Sequence, residues 1–297
     1  MADVLNILTV DVEEYFQVSN FEKVISREEW DSFASRVAPP IQKLLEMFAD
    51  RKVKATFFVL GWLARRQPRL IREIHDAGHQ IGSHSSWHKL IYDQSPQEFR
   101  SDLKESMEIL SDITGTAVTA YRAPSFSITE KSLWAFEILA EEGIRYDSSV
   151  FPIFHDRYGL PRAPVTPFQI PTQSGLIWEV PASVVRISGI NLPVAGGGYF
   201  RLYPYWLTYA LCRKIHREGR PVVTYIHPWE LDPEQPRLPR LPWPTRFRHY
   251  VNLAKTEHKL SRLLGHFNWG TLETALNQWL TQHSELQTLT PGRSHAE

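Results

Sequence analysis

Short β-branched or aromatic runs alternate with helical periods through the first 150 residues, and most of these runs end on a side chain of a type that does chemistry. Leu8-Thr9-Val10 runs into Asp11-Val12-Glu13-Glu14, residues 53–60 close at Gly61, and residues 79–83 lead into His84. Residues 117–121 end at Arg122, and Ile144-Arg145-Tyr146 at Asp147. Between them Pro39-Pro40 opens a helix carrying Ile41, Leu44, Leu45 and Phe48, and Pro68 opens another that stops at Gly78. Ser95-Pro96-Gln97-Glu98 is a capping box before Phe99, Leu103, Met107 and Leu110, and Ser127-Ile128-Thr129-Glu130 repeats it before Leu133, Phe136 and Leu139. Strand and helix in alternation require parallel strands with helical crossovers, so the chain is expected to be α/β, with ligands at the carboxyl ends of its strands.

From about 150 to 200 the rhythm breaks into prolines and Gly196-Gly197-Gly198, which predicts an insertion of loops and short antiparallel strands, with Ile177-Trp178-Glu179-Val180 as the best strand. The alternation resumes with a helix over 204–218 and a strand, Pro221 to Ile226, that ends at His227. A proline-rich segment over 232–244 precedes helical periods near 246–264 and 270–283. The expectation is one domain over residues 1–284, with an insertion at about 150–200, a C-terminal extension at about 231–284 and a disordered tail over 285–297. Lys+Arg and Asp+Glu both total 33, so no global field favours nucleic acid or an anionic membrane. No apolar stretch has the length of a membrane span and no export leader stands at the start, which predicts a cytoplasmic protein without a transmembrane segment. A single cysteine, Cys212, reads as core filler.

Asp11 and Glu13, two apart on a strand, share a face, and two carboxylates on one face repel unless a cation or a proton intervenes. His84 and His88 stand four apart, a spacing that lets both reach one ion if the segment turns helically. With Glu13 they make a two-His, one-carboxylate set suited to zinc or another divalent transition ion. Taken singly, each feature has a plainer reading: a solvated strand end, structural histidines, a salt-bridged Arg122, and a turn cap at Asp147-Ser148-Ser149. The three glycines at 196–198 read as a tight loop and not a phosphate cradle, because Tyr199-Phe200 follows them.

Asp11-Val12-Glu13, His84-Ser85-Ser86-Trp87-His88, Arg122-Ala123-Pro124, Asp147-Ser148-Ser149 with Pro152, and Ile226-His227-Pro228 resemble, in order, the five motifs of polysaccharide deacetylases with the NodB homology domain. The resemblance spans residues 5 to 230. Asp11-Val12-Glu13-Glu14-Tyr15-Phe16, Gly196 to Leu202 and His227-Pro228-Trp229-Glu230-Leu231-Asp232-Pro233 further resemble the branch found beside exopolysaccharide loci of exosortase systems, which has its own C-terminal extension. The resemblance implies a distorted (β/α) barrel with fewer than eight complete units, and removal of acetyl groups from N-acetylated sugars of a polysaccharide or its lipid-linked precursor. It implies Asp11 as general base with Arg122 holding it, Glu13, His84 and His88 as ligands of a divalent metal, zinc first, and His227 as general acid with Asp147 orienting its ring. It also implies the backbone N–H of Ser125 at the oxyanion and Trp87 and Trp229 beside the sugar, with an acetylated glycan as partner. Three positions depart from the common pattern: Val12 replaces the second aspartate and moves the ligand to Glu13, Lys89 follows His88, and Thr224 stands where leucine often lines the acyl pocket. A metal-independent amidase of the same superfamily acting on a small amide, and a non-catalytic carbohydrate-binding protein, are the alternatives.

Overall fold

Strand β1 (Leu5–Val12) is buried along nearly its whole length and pairs with three other strands of the main sheet. In the computed structural model, which describes residues 4–194, 196–239, 241–283 and 285–290, it is followed by β2 (Thr56–Val59), β3 (Gln80–Ser83), β4 (Ala120–Tyr121) and β5 (Tyr146–Asp147). The later strands are β6 (Phe168–Pro171), β7 (Leu176–Glu179), the hairpin β8 (Val184–Ile187) and β9 (Ile190–Pro193), β10 (Val223–Ile226), β11 (Asn268–Gly270) and β12 (Gln287–Thr288). The main sheet runs β10-β1-β2-β3-β4-β5-β7-β6-β12, with β11 beside the start of β1. Its pairs are parallel except β6 with β7. Antiparallel pairing is thus confined to the 150–200 insertion, as its broken periodicity predicts.

The edge strands β10 and β12 do not pair with each other among the described residues. Ser183, just beyond β7, bridges toward β10 instead: its N–H donates to Val223 O (3.3 Å) and its Oγ accepts from the Val223 N–H (2.7 Å). The structure is a mostly parallel, incompletely closed (β/α) sheet. Helices α1 (Ala38–Asp50), α2 (Gly61–Arg66), α3 (Pro68–Asp76), α4 (Pro96–Thr114) and α5 (Ala135–Glu141) make the first crossovers. Then come α6 (Gly197–Leu202), α7 (Tyr205–Arg217), α8 (Trp243–Tyr250), α9 (Leu253–His266) and α10 (Leu272–Leu280). No helix among the described residues is long and apolar enough to cross a membrane. Cys212 is free and buried on α7, and burial pushes its thiol up to about 12.

The first capping box forms as expected: Ser95 N–H donates to Glu98 Oε2 (2.8 Å) while Glu98 N–H donates to Ser95 Oγ (3.3 Å). The second does not. Ser127 Oγ instead accepts the Ile91 N–H (3.0 Å), Ser132 Oγ accepts from Thr129 N–H (2.9 Å), and α5 begins only at Ala135. The helical period expected over 246–264 is two helices, because buried Arg201 takes the carbonyls of Arg248, His249 and Val251 and Asn252 turns left-handed (φ 54°). In the segment expected to be a disordered tail, Gln287 and Thr288 pair with β6, and residues 291–297 lie outside the described ones.

His79, before β3, gives a pH-dependent contribution. Its ring packs against Phe48 and Phe57, Nδ1 accepts the Ala55 N–H (3.1 Å), and burial pushes its pKa from 6.5 to about 4. The unfolded chain therefore takes the proton first, so this stability is present above the unfolded value and is lost as pH falls from 6.5 toward 4. Urea unfolding of wild type and His79→Gln is expected to show the wild type losing about 1–2 kcal/mol more between about pH 7.5 and about pH 5.

Candidate active site

The carboxyl ends of the parallel strands open into one cavity of about 480 Å³. Asp11 and Glu13 leave β1 on the same face and line it, together with His84, His88, Ser125 and His227. Val12 is buried on the other face. Glu14 turns away: Ser35 Oγ and the Arg36 N–H donate to its carboxylate, which anchors the loop before α1.

One donor atom each from Glu13, His84 and His88 lies within 4.8 Å of the others, and all three residues are buried. His84 Nδ1–H donates to the Arg122 carbonyl (2.8 Å), which fixes the tautomer and leaves Nε2 with its lone pair toward the cavity. Burial pushes His84 down to about 4, so it is neutral, as a ligand must be. His88 Nε2 stands 3.0 Å from Glu13 Oε2, while its Nδ1 is buried without a hydrogen-bond partner. An orphaned ring nitrogen of an ordinary core histidine costs about 1–3 kcal/mol. Burial raises Glu13, but the imidazoles of His88, His227 and His84 outweigh it and hold the carboxyl at about 2. Two neutral-capable imidazoles beside a fixed carboxylate fit a divalent ion with N/O preference.

The histidine segment is not helical. Ser85 (φ 65°) and His88 (φ 50°) are left-handed, and the turn is held from α4 by Asp102, whose carboxylate accepts the N–H groups of Ser86 (2.9 Å) and Trp87 (3.2 Å). Arg27 clamps its far side through the carbonyls of Trp87 (2.7 Å) and His88 (3.2 Å). Neither residue carries a sequence signal for this role, since one lies mid-helix and the other opens a short 3-10 turn.

Arg122 is 1% exposed and spends its donors on the cavity floor. It donates to Asp11 Oδ1 (2.8 Å), Thr9 Oγ1 (2.6 Å), Ser148 O (2.9 Å) and Ser148 Oγ (2.7 Å). One residue thus orients Asp11 with its guanidinium and His84 with its carbonyl. Asp11 Oδ2 is left facing His227 Nε2 at 3.9 Å.

His227 corrects the expectation for its orienter. Glu230, three residues on, accepts at Oε2 from His227 Nδ1–H (3.1 Å) and from the His227 N–H (2.9 Å), and its Oε1 accepts from Arg201 Nε (2.6 Å). Asp147 does not reach the ring. Its carboxylate accepts from Ser149 Oγ (2.7 Å) and Ser149 N–H (3.1 Å), and it pairs across β5 and β7 with Glu179; burial raises both carboxyls, and the neighbouring Asp147 carboxylate raises Glu179 further. The signal for Glu230 is visible in His227-Pro228-Trp229-Glu230, where the Glu occupies the third position of a short helical turn. Burial alone would push His227 down, but Glu230, Glu13 and Asp11 raise it to about 9, so the ring is protonated at neutral pH.

Trp229 lines the cavity but is 7% exposed, stacked between His227 (5.1 Å) and His249 (4.3 Å). Its Nε1–H donates to Glu13 Oε1 (3.0 Å), so it positions that carboxylate. Trp87 is not in the cavity. It stacks on Trp30 (6.4 Å) and donates to Glu105 (3.0 Å) on the outer face of the turn. Ser125 lines the cavity in a left-handed conformation (φ 53°). On β10 the side chain facing the cavity is Tyr225, not Thr224, whose carbonyl accepts from Thr9 Oγ1 (3.0 Å).

The glycine run has a steric reason. Gly196 (φ 36°) lies so close to β10 that a Cβ there would stand 1.6 Å from Tyr225 O. Gly196→Ala is expected to lower the folded yield sharply and to shift thermal unfolding down, while Gly198→Ala, with no side-chain neighbour nearer than 3.9 Å, is tolerated.

Comparison with known proteins agrees with this geometry. Residues 34–145 match the family model "Polysaccharide deacetylase", and residues 148–277 match "Domain of unknown function (DUF3473)". The peptidoglycan-N-acetylglucosamine deacetylase of Bacillus cereus is 35% identical over 96 residues, 32% of this chain and 35% of that protein. The peptidoglycan deacetylase of Helicobacter pylori is 32% identical over 118 residues, 40% of this chain and 39% of that protein. The chain therefore spans a little over a third of the length of these relatives. Among solved structures, a Mycobacterium smegmatis protein assigned to the polysaccharide deacetylases superposes with a TM-score of 0.63 at 18% identity, covering 99% of this chain and 97% of its own, which shows the shared fold. Asp11 and Glu13 precede the first matched segment, and His227, Trp229, Glu230 and Arg201 lie in the second. The chain thus matches the polysaccharide deacetylase model over residues 34–145, and the segment that matches DUF3473 builds the other wall of the same cavity.

Proposed function

We propose that the protein is a divalent-metal-dependent hydrolase that removes acetyl groups from N-acetylated sugars of a polysaccharide or its lipid-linked precursor. The observation that carries this is the convergence of a complete ligand set, Glu13, His84 and His88, with an Arg122-held Asp11 and a protonated His227 in one cavity. Relatives named for removing acetyl groups from peptidoglycan and, in Cryptococcus neoformans, chitin support the substrate class. Glu13, His84 and His88 hold the ion, and zinc suits two imidazoles and a carboxylate best. When bound, it polarises the amide carbonyl and acidifies the attacking water. Asp11 takes the proton of that water through Oδ2, its Oδ1 being fixed by Arg122. The Ser125 backbone N–H is assigned to the developing oxyanion. His227 gives its Nε2 proton to the departing amine, and Glu230 holds its ring and its charge.

Residues 1–284 act as one unit in this reading, since the two matched segments share the cavity. The substrate is set in exopolysaccharide synthesis by the three variant motifs, and the place of action is the cytoplasmic side, where a lipid-linked glycan presents itself. The complete donor set weighs against a metal-independent amidase, and the retained Asp11 and His227 against a purely binding protein. Purified protein is expected to release acetate and expose one free amine per acetate from N-acetylglucosamine oligomers. Turnover of small amides with no acetate from any glycan would overturn the proposal.

A further inference from the structure

Several of the large apolar side chains left in solvent gather around the cavity mouth, while Val24, Leu176 and Trp206 are not among its lining residues. Leu202 (50% exposed) and Phe247 (44%) line it, Phe154 (92%) precedes the lining residue His155, and Trp243 (73%) stacks on Phe247 at 5.4 Å. The β8–β9 hairpin adds Ile187 (44%) and Ile190 (65%), and is tied to the Phe154 loop by Asn191 Nδ2, which donates to Pro152 O (2.7 Å). Single exposed apolar residues need no explanation, but a ring of them around an opening marks an interaction surface.

Basic side chains interleave with this ring. Arg157 and Arg248 line the mouth, Arg246 is exposed on the same helix as Phe247, and Arg186 is exposed on the β8–β9 hairpin. From Gln235 to Thr256 the sequence holds Arg237, Arg240, Arg246, Arg248 and Lys255 and no Asp or Glu, in a chain whose formal net charge is zero. Of these, Arg246 and Arg248 are exposed on the helix that carries Phe247, and the acidic neighbours at the mouth are Asp156, paired with His155, and Glu22, paired with Arg157. Protruding Trp, Phe and Ile side chains among arginines are what an interfacial protein presents to anionic headgroups. A soluble acidic glycan explains the arginines but gives Ile187, Ile190 and Phe154 nothing to bury against.

We propose that the DUF3473 region docks the protein on an anionic membrane surface with the cavity mouth toward the headgroups. A glycan carried on a lipid then enters from the membrane plane, and what enters rests on the deacetylase reading above. The face explains how a chain with no membrane-spanning helix among its described residues meets a membrane-bound substrate.

Co-sedimentation with phosphatidylcholine vesicles, with and without phosphatidylglycerol, tests it. Full-length protein is expected to bind the anionic vesicles, weakly or not at all the zwitterionic ones, and less as salt rises. Trp243→Ser with Arg246→Glu should lower partitioning about tenfold or more. Neither residue lines the cavity, so acetate release from a short soluble N-acetylated oligosaccharide should be unchanged. Phe154→Ser with Ile190→Ser, on different segments, should weaken partitioning in the same way, and the thermal midpoint of each variant shows that it folds. No binding to anionic vesicles, equal binding by the variants, or capture by a soluble acidic polysaccharide without vesicle binding would overturn the proposal. Vesicle binding without acetate release supports docking and removes only the deacetylase reading.

Discussion

Asp11→Asn is expected to lower kcat by about 10³-fold while leaving the protein folded and its metal content unchanged. The carboxamide is nearly the same shape and its Oδ1 still accepts from Arg122, which keeps Thr9 Oγ1, Ser148 O and Ser148 Oγ as partners, so the buried guanidinium loses its paired carboxylate but no hydrogen bond. What is lost is the basic oxygen, Oδ2, that faces His227 Nε2 at 3.9 Å across the space where water must sit. Elemental analysis beside steady-state kinetics separates this role from ligation. If Asp11→Asn loses metal in proportion to activity, Asp11 is a ligand and the assignment of base is wrong.

The largest effect on stability is expected at Glu230. Glu230→Ala removes a carboxylate that is 0% exposed and leaves the 3%-exposed Arg201 guanidinium without its counter-charge. Breaking one side of such a buried pair costs about 3–5 kcal/mol. Chemical denaturation should show that loss. Glu230→Gln preserves shape and a hydrogen bond to His227, but removes the first of the charges that raise its pKa to about 9. The acid form of His227 is then lost at lower pH, so the alkaline limb of the kcat profile should move down in pH, with kcat falling about 10²-fold. An unchanged limb would mean that Glu230 serves only the fold.

Much of this site could be read in the chain because parallel strands put their successors on one rim. Asp11, Glu13, His84, His88, Arg122 and His227 follow apolar runs, and the fold brings the six together. Asp147 follows such a run too, but Ser149 and Glu179 satisfy its carboxylate before it can reach His227. A strand end specifies the rim and not the partner. Trp87 fails for a related reason: between His84 and His88, which turn inward through left-handed Ser85 and His88, it faces outward onto Trp30. Ser127 shows that a capping box in sequence is only an offer, which the Ile91 N–H outbid. Asp102 and Arg201 were illegible because their work is done on backbone groups brought from distant segments, where no local spacing exists to see.

The DUF3473 match takes on a physical meaning here. Its segment supplies Tyr225, His227, Trp229 and Arg201 to the cavity, with Glu230 behind them, so on the proposed mechanism the acid belongs to it while the proposed metal ligands belong to β1 and the turn after β3. Separating the two regions would leave neither with a complete site.

The measurement that decides most is a metal titration of chelator-stripped protein, with acetate release from N-acetylglucosamine oligomers as the readout. Activity is expected to vanish on stripping and to return in full at one equivalent of zinc or a similar divalent ion, and Glu13→Gln and His88→Ala should each fail to recover at that stoichiometry. Undiminished acetate release from the stripped protein would contradict the assignment of Glu13, His84 and His88 to a catalytic metal.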